Sequence, residues 1–385
     1  MIDLLDPAVH ARGEADPALD ELRARCPVTW RTGRHGPGYW AVTGQAELVA
    51  IARDPVTFTS YLGTRPEVRR AAGAPRPLHN LDPPAHARLR AIADQLVAPA
   101  RLGGLRRVIA SVSAETIASF VAAGGGDAVA AVAVALPAQI FAAWLGLASG
   151  DAPLLAARVE AIHTAGAELL EELGTPSPVL DARRLAAHDA TTALATWLRD
   201  RVTSRAAPAG SVLADLGARV AGGELTLLEA TMLAALFVEA GLPTVADAIA
   251  SGLVACRARP ADVPRAVEEM LRVGSPIQQF ARYATRDVAV AGAEIRAGQQ
   301  VVLWYGAANR DPRVFTEPHG FVLRRRNPHV AFGAGPHRCL GARFARDLLR
   351  TFFAAWYARV PAHAAEGTRR ASSYMHGYTA LQITL

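Results

Sequence analysis

The sequence predicts a mainly α-helical protein with a smaller β-rich region, on three observations. Helical apolar spacing dominates from Arg101 to Arg205, and one long apolar helix is expected between Leu225 and Cys256. Strand-like runs are short and gather near the start and after Val273. With 385 residues, 51% of them hydrophobic and 20% charged, the chain can bury a large core and is neither disordered nor of low complexity. No internal repeat and no dividing linker is visible, so residues 1–385 read as one domain.

Apolar positions recur with helical spacing over Asp16–Arg25 and Gln45–Arg53, while Gly38–Thr43 reads as a short strand closed by Gly44. Thr59–His79, rich in Gly, Pro and Arg, predicts a long ordered loop. The prolines of Asp82-Pro-Pro-Ala-His86 start a helix reaching about Val97. The helical stretch that follows is broken at Gly124–Gly126 and at Gly174–Pro178, and the long apolar helix is interrupted at Ala240–Thr244. A compact helix over Val263–Val273 precedes strands at Phe280–Val290, Ala293–Ile295 and Gln300–Trp304. An amphipathic helix runs from Ala342 to about Tyr357, and Ser372–Leu385 reads as a strand pair around Gly377.

There is no lysine, so all 41 basic residues are arginines, set against 35 acidic ones. A net charge of +6 is mild at this size, and with no dense basic run it argues against a nucleic-acid partner. Cys26, Cys256 and Cys339 are few, odd in number and far apart, which describes neither a disulfide framework nor a zinc site and fits a reducing cytoplasm. Met1–Glu21 lacks the cationic and apolar regions of a signal peptide or anchor. Ala128–Leu147 and Ala230–Cys256 imitate membrane spans, but Pro137 interrupts the first, and Glu239, Pro243 and Asp247 sit within the second. Both are expected to be buried core helices of a soluble, cytoplasmic monomer with no membrane partner.

The most informative segment is Phe332-Gly-Ala-Gly-Pro-His-Arg-Cys339-Leu-Gly341. Gly333 and Gly335 permit a tight turn, and a cysteine at a helix start is favoured as thiolate. Gly341 lets the new helix approach a flat group without a clashing Cβ. A lone buried cysteine is more often structural, and the residues alone leave both readings open.

The segment resembles the haem-binding loop of cytochromes P450, Phe-x-x-Gly-x-x-x-Cys-x-Gly, at every fixed position. The resemblance implies the P450 fold and haem b (iron protoporphyrin IX), with Cys339 as axial ligand whose anionic sulfur pushes electron density onto iron. It places Phe332, Gly333 and Gly341 around that ligand. Glu269-Met-Leu-Arg272 is similar to the family's structural Glu-x-x-Arg motif, completed by Arg324 or Arg325. His86 and Arg90, four apart on one helix face, together with Arg282 and His337, match the family's partners of the haem propionates. The likeness runs from Tyr39-Trp-Ala-Val-Thr to the C-terminal hairpin and includes Ala308-Asn-Arg-Asp-Pro. It departs between Cys256 and Pro264, where the helix normally joining two core helices is expected to be missing or reduced.

A second departure touches mechanism. Ala240-Gly241-Leu242-Pro243-Thr244 occupies the family's oxygen-binding groove, with Gly241 beside the cofactor and proline where an acid usually precedes the threonine. Proline cannot donate to the Glu239 carbonyl, so the helix is expected to open or kink over 239–243. Thr244 is the expected catalytic hydroxyl, and Glu239 or Asp247 the substitute acid. The expected pocket is formed by Thr59–His79, residues 160–185, the 236–244 groove with Ala240, then Ile277, Gln278 and Phe280, and the tip at Met375. Its apolar lining suggests a hydrophobic or aromatic small molecule, such as a natural-product intermediate, oxidised with O2. No flavin or iron–sulfur segment remains, so the resemblance implies an acidic ferredoxin with its ferredoxin reductase, docking on a stripe of Arg343, Arg346 and Arg350. Two rivals stay open: oxidative (radical) coupling or peroxide-driven chemistry without net oxygen insertion, and a non-catalytic haem protein.

Overall fold

Side-chain caps and prolines start several of the helices. Asp6 accepts from the Ala8 N–H to begin α1 (Pro7–Ala11), with proline in the first turn where no donor is needed. In the computed structural model, which describes residues 2–33, 36–66, 73, 75–169, 178–204 and 206–385, the chain continues through α2 (Ala15–Arg25), β1 (Val28–Arg31), β2 (Tyr39–Val42), α3 (Gln45–Ala52) and β3 (Phe58–Thr59). After α4 (Ala85–Leu96), Pro99 opens α5 (Pro99–Ala122); β4 (Gly126–Asp127) and a π-helical turn then lead into α6 (Ala135–Leu145). α7 (Ala152–Leu169), α8 (Pro178–Thr203) and α9 (Val212–Ala221) follow, the last capped by Ser211. The loop expected from Gly174 lies outside the described residues up to Pro178, as does the middle of the Thr59–His79 loop.

Helix α10 (Leu227–Ala255) begins in a reciprocal capping box: the Thr226 hydroxyl accepts from the Glu229 N–H at 3.1 Å, and the Glu229 carboxylate accepts from the Thr226 N–H at 2.9 Å. It is long and apolar enough to cross a membrane, yet 61% of its most apolar stretch is buried inside the protein. Val238, Leu242, Ile249 and Leu253 are all buried in the main core, which α5, α6, α11 (Val263–Gly274) and α13 (Ala342–Arg359) share. Two glycines let aromatic rings meet this helix. A Cβ at Gly241 would collide with the Phe141 ring, and one at Gly252 with the Phe353 ring.

The strand region holds β5 (Gln279–Ala284), β6 (Val288–Val290), β7 (Ala293–Ile295), β8 (Gln300–Trp304), β9 (Ala364–Arg369) and β10 (Tyr378–Thr384), with α12 (Tyr305–Ala308) after β8. One sheet runs β1-β2-β8-β5-β3, its β2–β8 pair parallel and its other pairs antiparallel. A second runs β4-β10-β9, and β6 pairs with β7.

Three expectations change. Ser372–Leu385 is not a self-contained strand pair: β10 pairs with β9, whereas Met375 bridges to Ile277 and carries the turn into the interior. The strand read as Phe280–Val290 is two strands, because a turn at 285–287 separates β5 from β6. α10 is helical without a break through Pro243. The carbonyl that Pro243 cannot serve, that of Glu239, instead accepts from His163 Nε2 of α7 at 3.1 Å, so a tertiary donor replaces the missing helical one. The shortened connection after α10 holds: residues 256–262 carry no helix, and an Ala258–Ala362 bridge closes the gap.

Candidate active site

Cys339 sits in a loop held by its own backbone. Gly333 and Gly335 both adopt a φ of 68°, and a Cβ on Gly335 would collide with the Ala52 carbonyl. The Cys339 N–H donates to the Phe332 carbonyl at 2.8 Å, and the Val330 N–H donates to Asn309 Oδ1 at 2.7 Å. Arg346 of α13 lies 4.4 Å from the centre of the Phe332 ring and pins it from the helix side. Cys339 precedes the first residue of α13 by three positions, with Gly341 as N-cap.

The three cysteines differ in environment. Cys26 and Cys256 each donate their thiol to a backbone carbonyl at 3.2 Å, those of Val28 and Ala258. Cys339 instead accepts from the Gly341 N–H and keeps accessible surface, although burial is the largest influence on its pKa and pushes it up. An accessible side chain set that deep lines a recess. The helix-start argument for a thiolate is therefore overridden in the protein by desolvation, against which Gly341, Arg90, Arg338 and Arg346 pull the pKa down.

Four separated residues assemble beside this loop. His86 and His337 rings lie 4.3 Å apart, and Arg90 donates to the Arg338 carbonyl at 2.8 Å, tying α4 to the cysteine loop. His337 Nε2 is 3.3 Å from Ser60 Oγ. Burial, then Arg282 and His86, push the His337 pKa down to about 2, so it is neutral. Arg282 is buried, donates to the Ala281 carbonyl at 2.7 Å and forms no ion pair among the described residues. A desolvated guanidinium without an acid is costly unless an anion completes the site. His79, which sequence reasoning did not single out, also bears on His337.

Glu269, Arg272 and a third arginine meet as expected, and the third is Arg325. Arg272 donates to both Glu269 oxygens at 2.9 and 2.8 Å and to the carbonyls of Asn309, Pro318 and Gly320, while Arg325 Nε reaches Glu269 at 3.0 Å. Burial raises the Glu269 pKa, but these donors with the Val322 N–H outweigh it and hold the carboxyl below its ordinary range. The meander carrying the cysteine loop hangs on this one carboxylate.

On α10, Ala240 is exposed although Val238 and Leu242 beside it are buried, so the recess reaches the helix there. The Thr244 hydroxyl turns back to the Ala240 carbonyl at 2.7 Å. Gly241 does not present its bare face to a cofactor: the direction its side chain would take is filled by Phe141, and the glycine serves helix packing. Asp247 is turned under the C-terminal turn, 3.5 Å from Arg370 Nη2, with no room for a Cβ on Gly377 above it. Burial raises the pKa of both Asp247 and Glu239 to about 7, against the pull of Arg370 and Arg65 respectively.

Among the pocket residues, Phe280 packs edge-on against Tyr305 and Tyr374 at 6.1 and 5.6 Å. Gln278 does not offer its amide to a ligand. It is buried against Gly306, with Nε2 donating to the Ser275 carbonyl at 2.8 Å. The arginine stripe of α13 is also altered, since Arg346 and Arg350 are both paired with Glu268, at 2.8 and 2.9 Å, leaving Arg343 exposed.

The model of the cytochrome P450 family matches residues 263–358. Cytochrome P450 CYP199A2 of Rhodopseudomonas palustris is 32% identical over 99% of this chain and 93% of its own. The chain belongs to the cytochrome P450 family. The steroid C26-monooxygenase of Rhodococcus jostii is 29% identical, covering 99% of this chain and 84% of its own. The Mycobacterium marinum P450 CYP268A2, solved with pseudoionone, superposes with a TM-score of 0.84 at 28% identity over 100% of this chain and 98% of that one. CYP108D1 of Novosphingobium aromaticivorans gives 0.86 at 25% identity, over 99% and 96%. The protein is accordingly a haem oxidoreductase of the monooxygenase type, whose family cofactor is haem b. The site suits that group. A Cβ at Gly341 would enter open space with no atom within 4 Å, the Cys339 sulfur is accessible, and the cluster of two arginines and two histidines is suited to carboxylates.

Proposed function

We propose that the chain is one P450 haem domain in which Cys339 would bind the haem iron through its sulfur and His86, Arg90, Arg282 and His337 would hold the two propionates. The observation carrying this is the accessible sulfur of Cys339 in the same recess as an arginine–histidine cluster in which Arg282 forms no ion pair among the described residues. Haem b, when bound, supplies O2 activation and one-electron chemistry. The protein's part is to orient and to exclude water: Phe332, Gly333 and Gly341 shape the sulfur side, and Ala240, Phe280 and the Ile277–Met375 bridge shape the substrate side.

A hydrophobic small molecule, such as a natural-product intermediate, is oxidised in a cytoplasmic enzyme that takes electrons from an acidic ferredoxin and its reductase. The exposed Arg343 favours that partner, while Glu268 tempers the arginines behind it. Proton delivery falls to Thr244 and Glu239. The Thr244 hydroxyl is held at the Ala240 carbonyl, and Glu239, with its pKa near 7, carries an exchangeable proton on the same helix.

Pro243 in place of an acid favours one second reading, oxidation that couples substrate atoms without inserting oxygen. Labelled O2 separates the two: an 18O atom in the product supports monooxygenation, and a new bond with no label supports coupling. Thr244→Ala is expected to lose product mainly by uncoupling to hydrogen peroxide with the haem spectrum intact. Full coupling in Thr244→Ala would remove Thr244 from the proton route.

A further inference from the structure

The pocket expected from sequence is apolar, yet its walls meet at an arginine. Arg65 follows β3, and its backbone is pinned: the Thr64 carbonyl accepts from the Ala281 N–H at 2.8 Å, and the Arg65 carbonyl from Gln300 Nε2 at 3.2 Å. Its guanidinium lies 3.0 Å over the centre of the Tyr374 ring. Tyr374 is fixed in turn by its N–H to Ser372 Oγ at 3.1 Å, by its carbonyl accepting from the Gln278 N–H at 2.8 Å, and by edge contact with Phe280. Burial lowers the Arg65 pKa, and the charges bearing on it are Tyr374 and Glu239. Among the described residues the guanidinium makes no hydrogen bond and no ion pair, so the loop, the C-terminal turn, β5 and α10 converge on a desolvated cation without an anion.

The groups bearing on this cation are Tyr374 and Glu239, whereas Arg282, His86, His79 and Arg90 bear on His337. Glu239 is a poor counter-ion for it. Its carboxyl is not within ion-pair distance, and desolvation keeps it protonated up to a pH of about 7, so it adds a donor as readily as a charge. Among the described residues, other ionisable groups on this side are already engaged. His163 donates to the Glu239 carbonyl, and Arg370 bridges Glu160 at 3.8 Å and Asp247 at 3.5 Å.

We propose that Arg65, stacked on Tyr374 and facing Glu239, is the anchor for a carboxylate on the substrate. This rests on the reading of the recess as the substrate side of a P450 pocket and narrows the substrate class to organic carboxylic acids with an apolar body. Ala240 and Thr244 lie on one side of α10, four residues and roughly 6 Å of helix rise apart, with Glu239 next to Ala240 in the chain. An acid held at Arg65 therefore extends its apolar body along α10 past the exposed Ala240 toward Thr244, and oxidation falls on carbon distant from the carboxylate.

The test uses the haem-loaded protein and calorimetric titration at neutral pH with phenylacetate, longer phenylalkanoates up to 6-phenylhexanoate, biphenyl-4-carboxylate, and the primary amide of each. At least one acid is expected to bind about tenfold or more tighter than its amide, the range of a charge-assisted contact. Arg65→Gln should erase that preference while leaving amide affinity within about twofold, and Arg65→Lys should keep part of it. Amides binding as tightly as acids throughout, no acid binding at all, or an acid preference that survives Arg65→Gln would each overturn the anchor. Failure of the parent reading is distinguishable, because it would appear as loss of the thiolate-type spectrum in the unmutated protein.

Discussion

Replacing His163 with phenylalanine tests how α10 tolerates Pro243. His163 is partly buried, and its Nε2 is 3.1 Å from the Glu239 carbonyl, the group that lost its helical donor to proline. Removing the imidazole donor leaves that partly buried carbonyl unsatisfied, at about 1–3 kcal/mol. In a Pro243→Ala background the new N–H of residue 243 is placed to donate to the same carbonyl, so His163→Phe should cost less there. The expected coupling in the four-protein cycle is about 1 kcal/mol or more. Denaturant unfolding of the haem-loaded proteins, followed by far-ultraviolet circular dichroism, reads the four stabilities. Equal cost of His163→Phe in both backgrounds, within about 0.5 kcal/mol, would refute the idea that the two donors are alternatives.

Other outcomes follow from the same geometry. Glu269→Ala leaves Arg272 fully buried without its acid and removes the partner of Arg325, costing about 3–5 kcal/mol, so soluble haem-loaded protein should be nearly lost on expression. Arg325→Ala should be milder, because Arg272 still holds the carboxylate and three carbonyls; equal yields of the two variants would contradict this. Glu239 gives a pH signature. Its native pKa, near 7, lies above the ordinary 4.5, so its contribution to stability is full below about pH 4.5 and is lost as pH rises through about 7. Integrated over that window the loss is roughly 3 kcal/mol, so Glu239→Gln should gain on the parent protein between pH 5 and 8 in denaturant titrations; a pH-independent difference would rule the raised pKa out.

What the sequence makes legible is what lies contiguous in it. The α10 run is apolar over many turns, and the Phe332–Gly341 loop carries its signal within ten consecutive residues, so both are readable without neighbours. The choice of Arg325 over Arg324 depends on which side chain the meander turns toward Glu269, and spacing does not encode that. Proline at 243 signals a lost hydrogen bond, but not that α7 brings His163 to replace it. Gly241 and Gln278 look like pocket residues by position, while their surroundings, Phe141 and Gly306, come from other elements. Arg65, Glu239 and Tyr374 are far apart in the chain, and nothing in their local sequence joins them before the sheet, the helix and the C-terminal turn do.

The central claim is that Cys339 binds the haem iron through sulfur, and the ferrous–CO spectrum reads that bond directly. Cys339→Ala is expected to lose the red-shifted Soret band of a thiolate-ligated haem. Cys26→Ala and Cys256→Ala, whose thiols are committed to the carbonyls of Val28 and Ala258, should keep it. A thiolate-type band persisting in folded, haem-loaded Cys339→Ala, or vanishing in either of the other two, would contradict the account.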